Sequence, residues 1–230
     1  MIDRAAFHKL SCGLYIIGSK AGGRFAGCVV NTVLQVTSKP FQLSVTLNKE
    51  NATTKAVQES GRFTASVVDE AMGMETIGCF GFHTSAELDK FGEVAHAFDA
   101  CGVPYLEQDC SAWFSCRVVD SIDVGTHVVF IGEVEENGVL AGPHPMTYSF
   151  YHLVKGGKTP PRASSYTGEG SSSDVAADNA AGAKAAEGAG LKHAWRCTIC
   201  GHIEYVDELP ENFSCPVCGV GPEHFERIEL

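Results

Sequence analysis

Residues 41 to 47 alternate strictly, with Phe41, Leu43, Val45 and Leu47 separated by Gln42, Ser44 and Thr46. That is the period of a strand with one face buried. Other β-rich runs, set apart by turn residues, fall at 13–18, 25–30, 62–68, 112–122, 127–134 and 147–153. In 127–134, Val129, Ile131 and Glu133 alternate less cleanly, as in a strand covered on both faces. One helix is well signalled: Asn51 or Thr53 can cap it, Lys55 to Glu59 propagate it and Gly61 ends it. A second is predicted over 72–80. Many strands with few helices predict a mainly β fold, a closed or split antiparallel barrel of Greek-key type.

The pattern stops near residue 163. Residues 163–192 read ASSYTGEGSSSDVAADNAAGAKAAEGAGLK, with almost nothing to bury and too many glycines for a stable helix. This predicts a flexible linker with a random-coil span of about 30 Å, dividing a domain at 1–162 from a small one at 193–230. The chain carries a net charge of −11, and residues 193–230 hold seven acidic against two basic side chains. Such a surface repels phosphate and argues against nucleic-acid binding. No run of eighteen apolar residues and no basic-then-apolar leader is present in the sequence. No membrane span or secretion is therefore expected, and a cytoplasmic protein is. Cys12, Cys28, Cys79, Cys101, Cys110 and Cys116 are scattered without pairing logic and read as buried small residues. Cys28 or Cys79 beside a cofactor is the alternative.

The tail holds the sharpest chemistry. Cys197-Thr-Ile-Cys200-Gly201 and Cys215-Pro-Val-Cys218-Gly219 repeat the C-x2-C spacing at which one tetrahedral metal collects four sulfurs. The glycines tolerate the positive φ of a loop that folds back on its ligands and aims N–H groups at the thiolates. Spacing alone suits zinc or an iron centre. The acidic surroundings and the aromatic shell of Trp195, Tyr205, Phe213 and Phe225 favour iron. Either metal must supply folding energy to so small a domain. His202, beside four thiolates, is not expected to be a ligand. Trp195, both knuckles, Leu209-Pro210, Phe213 and Phe225 make the string WRCTICG…ELPENFSCPVCGVGPEHFERIEL resemble rubredoxin, an Fe(Cys)4 electron carrier. Only fourteen residues separate Cys200 from Cys215, fewer than in free-standing rubredoxins, as in modules fused to enzymes.

A second candidate site lies at Asn48-Lys49-Glu50-Asn51-Ala52-Thr53-Thr54, where a strand end leads onto a helix N-terminus. It reads either as an anion site or as an ordinary capped helix with a surface lysine. No GxGxxG follows a strand and no GxxxxGK[ST] is present, so a dedicated dinucleotide domain is not expected.

The stretches GRFAGCVVNTVLQVTSKPFQLSVTLNKENATTKAVQESGRFTASVV, IGCFGFHTSAELDKF, DVGTHVVFIGEV and TYSFYHLVKGGKTPPRASSY resemble the flavin reductase-like, FMN-binding split-barrel family, over nearly all of residues 8–166. With the tail, the whole chain is similar to the high-molecular-weight rubredoxins, FMN–rubredoxin fusions of anaerobic bacteria. The resemblance implies FMN as cofactor, with Asn31, Thr32, Val33 and Gln35 along the isoalloxazine. It implies Asn48, Lys49, Asn51 and Thr53 at the ribityl–phosphate end and Lys90 reaching the phosphate. His127 stands in Gly125-Thr126-His127, where many relatives have Gly-Asp-His beside the flavin and the incoming nicotinamide; Thr126 replaces that aspartate. Tyr151 and His152 match an aromatic stretch near the ring or a dimer partner, and His83 is a further candidate for the cleft wall. The implied activity passes electrons from NAD(P)H through FMN to one iron and on to a flavodiiron protein that reduces nitric oxide or dioxygen, in a homodimer. A flavin reductase that releases reduced FMN, and a zinc-stabilised adaptor without redox role, are the competing readings.

Overall fold

Strand β4 (Phe41–Asn48) buries Leu43, Val45 and Leu47, as its alternation predicts, while Phe41 at its start is exposed. The computed structural model describes residues 6–7, 10–157, 159, 163, 193–198, 202–210, 212–215 and 220–229. The linker expected at 163–192 therefore lies, apart from Ala163, outside the described residues. Around β4 stand β1 (Tyr15–Ala21), β2 (Arg24–Val30), β3 (Leu34–Ser38), β5 (Arg62–Val68), β8 (Cys110–Asp123) and β9 (His127–Val139). Two short strands, β6 (Ala97–Phe98) and β7 (Pro104–Tyr105), pair with each other. The large sheet is antiparallel in the order β2-β1-β5-β8-β9-β4-β3. Its two edges, β2 and β3, are consecutive in the chain. The barrel is thus split where residues 31–33 pass from one edge to the other. Thr32 fastens this crossing: its hydroxyl donates to the Thr46 carbonyl at 2.8 Å and accepts the Thr46 N–H.

Successive residues of a strand face opposite sides of a sheet, and β1 divides two cores in this way. Ile17 enters the barrel interior with Val45, Leu47, Val57, Phe63 and Phe130. Ile16 joins an outer cluster with Met72, Ile77, Phe80, Phe91 and Met146. Helix α1 (Ala52–Ser60) puts Val57 into the interior. It starts at Asn51, whose side chain accepts the Thr53 N–H, and ends at Gly61 with φ 65° and an N–H donated to Val57, as its sequence signals. Helices α2 (Met74–Phe82) and α3 (Tyr148–Leu153) lie over the outer cluster. At Gly18, β1 runs so near the chain at Pro104 that a Cβ would meet its carbonyl at 2.2 Å, so only glycine fits.

Several expectations are corrected. Within residues 147–153, Tyr148–Leu153 form a helix, not a strand: the extended Thr147 accepts the Phe150 N–H at 3.1 Å and caps it. Helix α2 starts at Met74 rather than 72, Met72 being a buried core residue before it. In β9 Val128, Phe130 and Gly132 are buried and Val129 and Ile131 only half-buried, so one face is covered rather than both as expected, and the strand runs on to Val139. Cys28, Cys110 and Cys116 are buried, but Cys101 is exposed, its N–H held by Asp99 in a turn.

Asp69, buried just after β5, accepts from the N–H groups of Ala71 (3.0 Å) and His144 (2.7 Å) and from the Ser111 hydroxyl (3.1 Å). Burial alone would raise its pKa; the donors outweigh burial and hold it below the usual carboxylate range. A depressed folded-state pKa gives stability that is complete above the unfolded value of about 3.9 and is lost as pH falls through the folded one. Asp69→Asn sets an amide donor against these donors. It is expected to cost about 2 kcal/mol at neutral pH and to flatten the acid limb of a stability-versus-pH curve from urea melts. An unchanged acid limb contradicts this.

The C-terminal domain is a small sheet of β10 (His193–Cys197), β11 (Ile203–Glu204) and β12 (Phe225–Glu229), in the order β11-β10-β12. Cys197 and Cys215 form its centre with Phe225.

Candidate functional site

A cleft of about 500 Å³ opens at the barrel split. One wall is the end of β2 and the crossing after it (Cys28 to Thr32), the end of β4 (Thr46 to Asn48), Asn51 and His127. Strand pairing brings these together, since Asn48 lies opposite His127. The facing wall is the last turn of α2 and the residues after it (Phe80 to Thr84), with Tyr148 and Tyr151 of α3. Ala163 and, from the C-terminal domain, Val220 also line the cleft.

The aromatic wall is built by local contacts. The rings of Tyr148 and Tyr151 lie 17° from parallel with centroids 6.0 Å apart, and His152 meets Tyr148 edge-on at 4.3 Å. The Tyr148 hydroxyl is 2.6 Å from the Thr159 hydroxyl, and His152 Nδ1 is 2.7 Å from the Gly157 carbonyl. His127 Nδ1 lies 2.8 Å from the Thr126 hydroxyl; with that hydroxyl donating, the ring carries its proton on Nε2. A flat apolar wall facing a rim of amide and hydroxyl groups suits a planar heterocycle.

The start of α1 is more self-contained than a bare anion site. Asn51 Oδ1 accepts the Thr53 N–H, the Asn51 carbonyl accepts the Thr54 N–H, and the Thr54 hydroxyl donates to the Asn48 carbonyl. What this network leaves over is Thr53 Oγ1, fully buried and without a hydrogen-bond partner among the described residues. Leaving a buried hydroxyl unmade costs about 1–3 kcal/mol. An acceptor oxygen of a bound ligand would supply the missing partner, so the residues here fit a ribityl phosphate through hydroxyl and amide groups. The Cys28 thiol stands beside Thr53 without a bond of ordinary geometry to it; burial pushes its pKa up, and Thr53, Lys90 and Asn51 offset part of the rise.

Neither expected lysine lines the cleft. Lys49 pairs with Asp123 at the surface, its ammonium lowering the Asp123 pKa together with the Gly125 N–H. Lys90 is buried and donates to the carbonyls of Gly27 (2.9 Å) and Phe80 (3.0 Å). Burial depresses its pKa. A buried ammonium needs acceptors, and the carbonyls closing α2 offer them at the negative end of that helix. Lys90 thereby ties α2 to β2. Val33 packs against the interior cluster, and Gln35 is exposed on β3, where its amide donates to the Thr37 carbonyl. Of the expected residues, Asn31, Thr32, Asn48, Asn51, His127 and Tyr151 meet at the cleft, with His83 beside them. Thr53 lies just behind. The described lining carries Glu50 and Glu87 but no lysine or arginine. Thr46, Tyr148 and, apart from His83, the stretch Phe80–Thr84 were missed from sequence. Only the alternation of β4, which gives Thr46 and Asn48 one face, could have signalled the first.

In the C-terminal domain the Cys197 N–H donates to the His202 carbonyl (2.7 Å) and the Cys215 N–H to the Val220 carbonyl (2.9 Å). Both knuckles therefore close over the same five-residue step. Cys197 and Cys215 are buried together behind Phe213 and Phe225, which meet edge-to-face. Cys200 and Cys218 lie outside the described residues. Two buried thiols on matching turns fit half of a four-thiolate site. His202 bonds Glu204 instead, at 3.0 Å.

Comparison with known proteins gives two matches along the chain. Residues 7–157 match the family described as flavin reductase like domain, and residues 195–226 the rubrerythrin, rubredoxin-like domain. The chain is 35% identical over 243 residues to the high molecular weight rubredoxin of Moorella thermoacetica, covering 99% of this chain and 100% of that protein. It is 47% identical over 165 residues to the ferric-chelate reductase (NAD(P)H) of Archaeoglobus fulgidus, covering 72% of this chain and 98% of that one. The solved structure of a nitrilotriacetate monooxygenase component B homologue from Mycobacterium thermoresistibile superposes with a TM-score of 0.56 at 25% identity, over 63% of this chain and 79% of its own.

Proposed function

The chain belongs to the flavin reductase-like family and ends in a rubredoxin-like domain, and on that premise we propose that it passes electrons from NAD(P)H through FMN to an Fe(Cys)4 centre, and on to a flavodiiron-type reductase of nitric oxide or dioxygen. FMN in the cleft supplies the conversion of a two-electron hydride donor into single electrons, and an iron held by four thiolates accepts one electron with little change of geometry. Asn31 and Thr32 present backbone and side-chain polar groups to the ring edge, stabilising negative charge there. Thr53 and the start of α1 receive the phosphate, and His127 stands where the nicotinamide approaches. Cys197, Cys200, Cys215 and Cys218 hold the metal in a domain at 193–230, joined by a linker at 163–192 to the barrel at 1–162. The observation that carries this reading is that Val220 of the cysteine domain forms part of the wall of the barrel cleft.

A homodimer is supported by apolar side chains left uncovered on the sheet, Leu34 (66% exposed) and Phe41 (63%) on β3 and β4 and Ile122 (52%) on β8. The acidic tail domain suits brief docking on a basic partner, slowed by salt. Among the described residues no helix is long and apolar enough to cross a membrane.

Anaerobic titration with NADH or NADPH tests the reading: flavin absorbance should bleach first and the ferric bands after it. Stoichiometric zinc after iron-replete anaerobic expression overturns it. The similarity to a ferric-chelate reductase that is 98% covered by 165 aligned residues favours, as second reading, a reductase that releases reduced flavin. Gel filtration separates the two, because flavin retained at micromolar protein excludes a diffusible product.

A further inference from the structure

Two residues belong at once to the cleft lining and to the cluster around the sulfurs: Phe82 at the end of α2 and Val220 in the C-terminal domain. Met74, at the start of α2, packs against the same cluster of Cys197, Cys215 and Phe225. A single layer of side chains therefore separates the cleft from the buried thiols. On the module side the link continues through the backbone, because the Val220 carbonyl accepts the Cys215 N–H at 2.9 Å. On the barrel side α2 is a firm base. Ile77 and Phe80 are buried in the outer core, and Lys90 ties the Phe80 carbonyl to β2.

We infer that the Met74–Phe82 face of α2 is the seat on which the cysteine module rests for internal electron transfer, with Phe82 against Val220 setting the separation between cofactor and Cys215. The inference rests on the relay reading and names the contact through which it works. Per nicotinamide oxidised, two electrons and one proton arrive as hydride. The one ferric ion takes a single electron to become ferrous, gives it to the external partner and returns to ferric before taking the second, while the proton passes to solvent, so the module must be reduced twice. Transfer within one chain is first-order in either case, but a seat raises its rate, because an undocked module would meet the cofactor only at its effective concentration.

The seat is apolar. The module is acidic, with seven carboxylates against two arginines in 193–230. Of those arginines, Arg196 is paired with Glu226 and Arg227 lies against His193. Helix α2 contributes one charge, Glu75. Internal transfer should then be indifferent to salt, while delivery to a basic external partner weakens as salt rises.

Met74 does not line the cleft and is the residue to change first. In the full chain, Met74→Glu is expected to slow iron reduction after flavin reduction by about tenfold, the loss of docked population that follows removal of one buried apolar contact. Flavin reduction by NAD(P)H should keep its rate, and Met74→Leu should restore transfer. Phe82→Ala should slow transfer likewise. A second readout needs no electrons. In the full chain loaded with zinc, amide exchange over 74–82 and 220–229 should quicken in Met74→Glu and stay slow in Met74→Leu. Unchanged exchange and unchanged transfer in both Met74→Glu and Phe82→Ala overturn the seat, as does internal transfer that falls with salt. If NAD(P)H never reduces iron in the unaltered protein, the relay falls instead, and the zinc-loaded exchange experiment still decides the seat.

Discussion

Cys215→Ala is expected to abolish iron reduction in the full chain while NAD(P)H still reduces the flavin. Cys215 is 3% exposed, and among the described residues of its domain only Cys197, Phe225 and Ala194 are comparably buried. Such a core cannot offset the chain entropy of a domain this small. The proposed metal would supply the difference, on the order of 10 kcal/mol for a structural four-ligand site. Loss of one thiolate removes the ligand alone, since alanine keeps the N–H that closes the turn on Val220. Metal analysis should find the variant empty, and limited proteolysis should cut within 193–229 while the barrel, with its two cores of its own, stays whole. A comparison variant, Cys101→Ala, alters an exposed thiol and should change neither readout. A Cys215→Ala protein that lacks metal yet resists cleavage at its tail would show that the sulfurs are not what folds this domain.

How much of this was legible in the residues depended on how local the determining interaction is. The alternation of β4 and the caps of α1 at Asn51 and Gly61 are set by spacing and by neighbours within one turn, and the structure follows them; of the four cysteines, Cys197 and Cys215 are buried together, and Cys200 and Cys218 lie outside the described residues. The segment 147–153 was misread because Thr, Tyr, Phe and Tyr carry strand propensity and six residues are too few to reveal a period. What decided it was the Thr147 cap and the burial of Tyr151 in the outer core. The lysines failed for another reason. Lys49 and Lys90 have side chains long enough to choose among several acceptors. Of the acceptors they chose, Asp123 lies 74 positions from Lys49 and Gly27 lies 63 from Lys90, while the Phe80 carbonyl, 10 positions from Lys90, comes within reach only once α2 is placed. The cleft wall at Phe80–Thr84 was hidden likewise, because it faces β2 only after Lys90 has drawn the end of α2 against that strand.

Thr53→Val should stabilise the flavin-free protein and weaken its hold on FMN. The two effects have opposite sign because one hydroxyl serves two states. Without ligand, Thr53 Oγ1 is buried and unpartnered among the described residues, so exchange for a methyl of nearly the same shape removes a penalty of about 1 kcal/mol. The helix cap survives, since the donor to Asn51 is the Thr53 backbone N–H. Thermal unfolding of the flavin-free barrel should therefore shift upward by about 3 °C. With FMN bound, the wild-type hydroxyl gains a charged acceptor, a bond of about 1.5–3 kcal/mol that valine cannot make. Titration of FMN should show affinity lower by tenfold or more, and Thr53→Ser should retain it. Unaltered affinity in Thr53→Val would remove the phosphate from this end of α1. A fall in stability of the flavin-free variant would mean that the hydroxyl already has a partner there, and the cleft would lose the one observation that asks for an acceptor.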